Sequence, residues 1–197
     1  MRQINKNEPI YFTKAKSKVE LPKIKGAWGD ENIHKIRADL RSDILLKEQM
    51  NLCAYCEKEI DENPKNSNID HFKTRNLFPQ LTLEYSNLLV SCNTKSRCSS
   101  FKDSHIKNEE EYQNIINLAF EDPNDFLDYL TTGEVIAKNK KGQFTIDIFN
   151  LQDKSLIECR LKIVKALKYL DNLSLDEIYN VFPDYHSFIA VVYPKLN

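Results

Sequence analysis

The sequence predicts an α+β fold, with short strands set among helices, and three observations carry that expectation. Two cysteine pairs, Cys53-x₂-Cys56 and Cys92-x₅-Cys98, bracket segments with strand character. Residues 153–171 place Leu156, Cys159, Ile163, Leu167 and Leu170 on one helical face. Gly133–Ala137 and Gln143–Phe149 flank a Lys-Asn-Lys-Lys-Gly turn, which reads as a β-hairpin.

The elements follow in order. The first 28 residues read as an extended, Lys-rich arm with Lys14, Lys16, Lys18, Lys23 and Lys25, in which Pro9 and Pro22 disfavour helix. Asp30 is a plausible N-cap for a helix reaching about Met50, with Ile33, Ile36, Leu40 and Ile44 on one face. Residues 61–68 form a polar, turn-rich loop. One short strand is expected to end at Asp70-His71, a second to run over 86–90, and a helix to begin just after Cys98. Asp122-Pro123 reads as the start of a helix through Phe126, Leu127 and Leu130. Ser174-Leu175-Asp176-Glu177 is a capping-box start for a helix that stops near Pro183. This divides the chain into a basic arm and helix (1–50), a central unit (51–108) and a mainly helical C-terminal region with the hairpin (109–197), packed on the centre.

The cysteines carry the strongest chemical signal. C-x₂-C supplies two thiolates from one tight turn, and four thiolates suit the tetrahedral preference of Zn²⁺. If all four close on one ion, the intervening loop containing Asp70-His71 is clamped at its base. Cys159 lies outside both pairs, on the apolar face of a helix, and reads as a core residue. His34 and His186 have no metal-spaced partner and read as structural or surface residues.

Composition sets the outer limits. The chain has 197 residues, with 41% hydrophobic and 29% charged residues, ordinary values for a globular protein. The opening residues lack a secretory apolar run, and 188–193 is too short to span a bilayer, so a reducing cytoplasmic setting is expected. The net charge of −1 hides an uneven distribution: residues 109–135 hold eight acidic and no basic side chains, whereas the first 50 residues are basic. Separate surfaces for separate partners are one reading of this, and ordinary solvated faces the other. No G-x-x-x-x-G-K run is present, so no nucleotide-binding loop is expected.

A strand, a loop, a second strand and a helix, with histidine ending the first strand, is the plan of a ββα-metal nuclease site. A neutral imidazole serves as general base near pH 7, and a hard divalent cation stabilises the charge on the scissile phosphate. Lys73, Arg75 and Lys102 are candidates for gripping phosphates.

Four blocks make a resemblance concrete: Leu52-Cys53-Ala54-Tyr55-Cys56-Glu57, Asn68-Ile69-Asp70-His71-Phe72-Lys73, Tyr85-Ser86-Asn87-Leu88-Leu89-Val90-Ser91-Cys92 and Cys98-Ser99-Ser100-Phe101-Lys102. Together they resemble the HNH endonucleases and, more narrowly, the PtuB-like nuclease subunits of Septu anti-phage systems, whose relatives also serve as retron effectors. Ile116-Asn117, Asp122-Pro123, Gly133-Glu134-Val135 and Phe149-Asn150-Leu151 with Arg160 extend it more weakly, so that it covers most of residues 50–165. The resemblance implies His71 as general base and Asp70 as ligand of a catalytic Mg²⁺ or Mn²⁺. It implies Asn87 as the amide that ties down the loop bearing the histidine, and Cys53, Cys56, Cys92 and Cys98 as ligands of a structural Zn²⁺. The position after the last cysteine, usually His or Asn, is Ser99 here. Asn93, Asp103 and His105 are the substitutes, and the Asp103 carboxylate suits the cation best.

The resemblance further implies an ATPase partner (PtuA-like) and a nucleic-acid substrate, with no membrane role. Two functional classes follow: a metal-dependent HNH endonuclease acting as a defence effector, or a catalytically inactive, zinc-bound nucleic-acid-binding or scaffold subunit. The sequence does not choose between DNA and RNA.

Overall fold

A computed structural model describes residues 1–170 and 172–196. Helices and two small antiparallel sheets alternate, an α+β architecture. In chain order the helices begin with α1 (Ile10–Lys16), α2 (Glu31–His34) and α3 (Arg37–Asp43), which continues into a π turn, Ile44–Glu48. Strands β1 (Ser67–His71) and β2 (Leu88–Cys92) follow, then helix α4 (Cys98–His105). The C-terminal part holds β3 (Leu127–Tyr129), β4 (Val135–Ala137), α5 (Lys140–Ile148), α6 (Lys154–Leu167), α7 (Leu175–Val181) and α8 (His186–Val192).

β1 and β2 pair antiparallel, with Ser67 opposite Cys92, Asp70 opposite Leu89 and His71 opposite Leu88. All five residues of β2 are buried, so the strand runs through the interior rather than along a wet face. Its outer edge is satisfied by a side chain. The buried Gln49 amide accepts from Val90 N–H and donates to Val90 and Leu52 carbonyls, each at 2.8 Å. An amide is the one side-chain type that can imitate a neighbouring peptide unit in this way.

The first 28 residues are not an extended arm. Met1, Ile4, Phe12, Ala15, Val19, Ala27 and Trp28 are buried in the common core. Pro9 starts α1 rather than preventing it, because a proline at a helix N-terminus lacks only an amide that would have had no partner. Lys6 is half-buried: its ammonium meets Glu48 at 2.5 Å and the Leu88 carbonyl at 2.8 Å, stitching this segment to β2.

Asp30 caps its helix by accepting from Asn32 N–H, but the helix expected to reach Met50 breaks at Ile36 (φ −103°, ψ 0°) before α3. The strand expected over 86–90 begins later, at Leu88, because Tyr85–Asn87 make a 3₁₀ turn. Asp122 does cap, accepting from Asn124 N–H, yet only a 3₁₀ turn follows. The chain then enters β3, where Leu127 and Tyr129 are buried and Asp128 between them is less so.

The hairpin therefore exists one element earlier than expected, between β3 and β4. The Lys-Lys-Gly segment read as its turn is the first turn of α5, with Asn139 Oδ1 accepting from Gly142 N–H at 2.9 Å. The β-branched residues that suggested a strand sit on the buried face of this helix, and Thr145 Oγ donates to Lys141 O and accepts from Ile116 N–H, both at 2.9 Å. The amphipathic helix expected over 153–171 is α6; residue 171 lies outside the described residues. The capping box at Ser174–Glu177 opens α7.

Candidate functional site

The cysteine cluster is built from three places in the chain. The Cys53–Cys56 turn closes with Cys53 N–H on Lys58 O at 2.9 Å and Glu57 N–H on Cys53 O at 3.0 Å, with Glu57 in the left-handed region (φ 56°). Cys92 ends β2, and Cys98 (φ 59°) opens α4. The C-terminal part fixes that last ligand: Cys98 N–H donates to Phe149 O at 2.9 Å, and Asn150 Nδ2 to Ser96 O at 2.8 Å.

All four thiols are buried, and their sulfurs lie within 4.8 Å of one another. Cys53 and Cys98 Sγ are 3.8 Å apart. A Zn–S bond of about 2.3 Å gives a tetrahedron edge of about 3.8 Å, which is the spacing of the Cys53–Cys98 pair. The Cys92 amide donates to Cys53 Sγ at 3.3 Å, an orientation that supports a thiolate. Crowding splits the titrations: burial pushes the Cys98 thiol up, while hydrogen bonds from Cys53, Cys56 and Cys98 hold Cys92 far down. Such a set ionises fully only around a cation, and these four cysteines could bind a metal such as zinc.

A cavity of about 420 Å³ is lined by Asp70, His71, Arg75 and Asp103 together with Lys25 and Lys107. β1 ends at His71, so two neighbouring side chains reach one cavity where a continuing strand would send them to opposite faces. His71 is 7% exposed. Its Nε2 lies 3.0 Å from Thr82 O, and a carbonyl only accepts, so Nε2 carries the proton and Nδ1 is the lone-pair nitrogen. Burial, reinforced by the Arg75 charge, lowers the imidazole pKa from 6.5 to about 4, so the ring is neutral at physiological pH.

Asp70 is 4% exposed and fully engaged. It accepts from the Tyr55 hydroxyl and from Lys102 Nζ, at 3.2 and 3.0 Å for its two oxygens. Lys102 itself is completely buried, donates to the His71 and Phe72 carbonyls at 2.8 Å, and lies 3.1 Å from Asp103. Burial alone would lower its pKa, but the Asp70 and Asp103 carboxylates outweigh burial and raise it. Lys102, a candidate phosphate grip by sequence, is thus enclosed beneath the site. Lys73 turns away as well, with its ammonium 5.0 Å from the Phe78 ring; Arg75 alone of the three lines the cavity.

Asn87 brackets the segment after His71. Its Oδ1 accepts from Lys73 N–H at 2.7 Å, and its Nδ2 donates to Lys73 O at 3.0 Å and Leu81 O at 3.2 Å. Of the four candidates for a further ligand, Asp103 lines the cavity and its carboxylate is half exposed. Burial and the nearby Asp70 raise its pKa. Ser99 is buried, its amide on Ser91 Oγ at 3.3 Å. Asn93 bonds Asn68 and the Pro64 carbonyl, and His105 stacks on Phe101.

Sequence reasoning missed Trp28, Tyr55, Lys25 and Lys107 as site residues. Trp28 and Lys25 arrive from the segment read as a free arm. Tyr55 packs as a core residue, stacked on Phe149 at 4.0 Å, but its hydroxyl reaches Asp70.

No family model matches the chain. Two curated relatives do: a Septu protein PtuB from Bacillus thuringiensis is 33% identical over 110 residues, 54% of this chain and 39% of that protein. A second Septu protein PtuB, from Bacillus mycoides (strain KBAB4), is 27% identical over 162 residues, 66% of this chain and 55% of its own length. The match spans about half or less of the length of these relatives. No helix among the described residues is long and apolar enough to cross a membrane. By sequence, this chain is similar to Septu proteins PtuB over 110 to 162 residues.

Proposed function

We propose that the chain is a metal-dependent HNH-type endonuclease, acting as the effector subunit of a Septu-like anti-phage defence complex with a PtuA-like ATPase. The observation that carries this reading is His71: a buried, neutral imidazole with its Nε2 proton held by the Thr82 carbonyl, bordering a cavity shared with two carboxylates and basic side chains. Its Nδ1 is set to accept a proton from an attacking water. Arg75, Lys25 and Lys107 would hold the phosphodiester backbone, a contact that carries little sequence information. Asp70 and Asp103 offer the oxygen donors that Mg²⁺ or Mn²⁺ takes, and the cation would neutralise charge on the scissile phosphate and leaving oxygen. The cysteine cluster, as a Zn²⁺ site, would fix β2 and α4 against the β1 strand that bears Asp70 and His71. Kinship to Septu proteins supports the defence role and the partner.

Two observations favour the second reading, an inactive zinc-bound scaffold: the Lys102 ammonium already neutralises Asp70, and Ser99 offers a poor ligand. Cleavage assays separate the two. Wild type and His71→Ala, each with and without the ATPase, are incubated with Mg²⁺ or Mn²⁺ on plasmid, single-stranded DNA and RNA. The nuclease reading expects cation-dependent cleavage in wild type only. Cleavage by neither protein under every condition, with zinc content intact, would sink it in favour of the scaffold.

A further inference from the structure

The ammonium of Lys102 is surrounded as a bound cation would be. Five oxygens approach its Nζ: Asp70 Oδ1 and Oδ2 at 3.2 and 3.0 Å, Asp103 at 3.1 Å, and the His71 and Phe72 carbonyls at 2.8 Å. The nitrogen is completely buried, in the midst of the carboxylates that face the candidate site. These are hydrogen-bond distances. A Mg²⁺ ion requires oxygens at about 2.0–2.1 Å, so this shell is sized for an ammonium and not for a bare divalent ion.

We propose that Lys102 is a resident cation that occupies the position between Asp70 and Asp103 and weakens divalent-cation binding by that carboxylate pair. The charges give the direction. Two carboxylates supply −2, the ammonium returns +1, and an arriving divalent ion meets a site with half its attraction already spent. It also meets a like charge about 3 Å from each of its ligands. The side chain cannot swing aside into solvent, because α4 holds it beneath the carboxylates. Asp103 is the movable member of the set, being half exposed, so cation entry proceeds by Asp103 turning outward while Asp70 stays on Lys102 and Tyr55. This rests on the reading of Asp70 and Asp103 as the cation-holding pair, but not on the chain cleaving anything.

The test is Mn²⁺ binding to the full chain with zinc in place, followed by calorimetry and by the electron spin resonance of free Mn²⁺. Lys102→Met and Lys102→Gln, confirmed folded by circular dichroism and zinc content, are each expected to bind Mn²⁺ roughly tenfold or more tightly than wild type. Adding Asp103→Asn should abolish the gain. Folded variants that bind no tighter than wild type overturn the proposal. Should neither variant fold, wild type labelled with ¹⁵N at lysine Nζ decides. Saturable Mg²⁺ binding that moves or broadens the Lys102 resonance supports a shared position, whereas the absence of saturable binding in the millimolar range counts against it. Saturation with that resonance unmoved overturns it. Because the readout is binding, a failed cleavage assay leaves this result standing, and the reverse holds equally.

Discussion

The indole of Trp28 stands edge-on to the imidazole of His71, with ring centroids 4.7 Å apart and planes at 86°. Arg37 also holds Trp28, donating to its carbonyl and lying 5.0 Å from its ring. Residues 1–28 thereby supply one wall of the histidine's surroundings. Trp28→Ala should cost about 3–5 kcal/mol of stability, the range for a large buried aromatic. It should also let water reach His71 and raise its pKa from about 4 toward 6.5, as read by NMR titration of the ring. An unchanged titration would show that the indole does not set the burial of His71.

The same depressed pKa links pH to stability. The folded state of His71 resists protonation, so the unfolded chain takes up a proton first as pH falls. Its contribution is complete above about pH 6.5, declines from there to about 4, and is gone below, where both states are protonated. The gap of about 2.5 pH units corresponds to on the order of 3 kcal/mol. His186, whose pKa burial also lowers, acts in the same direction. Urea unfolding at pH 7 and pH 5 should show a marked loss for wild type and a shallower one for His71→Gln. Equal losses in both would assign the pH dependence to other groups.

The parts of the fold legible in the sequence were those with a local physical signature. Asp30, Asp122 and Ser174 all cap as expected, because capping depends on a side chain and the next three residues. The cysteine cluster was legible for a similar reason, since a C-x₂-C turn is nearly a site in itself. What failed was decided at long range. Phe144-Thr145-Ile146 looked like a strand, yet Asn139 and the buried partner of Thr145, the Ile116 amide, make it helix. The Lys-rich opening reads as an extended arm because its lysines and prolines mask the apolar residues spaced among them, but Met1, Ile4, Phe12 and Trp28 bury it. Lys102 has the composition of a phosphate grip, and only the structure places it under Asp70.

If the cysteines hold zinc, the ion belongs to the folding of β2 and α4. Structural zinc in small domains contributes on the order of 10 kcal/mol. Plasma emission analysis is expected to find one Zn²⁺ per chain, and Cys53→Ser or Cys92→Ser to lose both zinc and thermal stability. Chelation of wild type should lower the melting temperature in parallel with zinc release. Full zinc content in both variants would dispose of the four-cysteine site.

Gly133 tests whether the C-terminal part supports the cysteine cluster. Its φ is +91°, and an added Cβ would lie 2.5 Å from the Ile157 carbonyl on α6, a contact with backbone that cannot relax cheaply. The buried Arg160 donates to both the Gly133 and Leu151 carbonyls, at 3.3 and 3.2 Å. Two residues before Leu151, the Phe149 carbonyl holds the amide of Cys98. Gly133→Ala should therefore destabilise the chain by about 2 kcal/mol or more, from backbone strain and the clash together. If the support is mechanical, the variant should also release zinc to a chelator faster than wild type at equal temperature. A destabilised variant with an unchanged zinc release rate would show that the hairpin and α6 stabilise the fold without bracing Cys98.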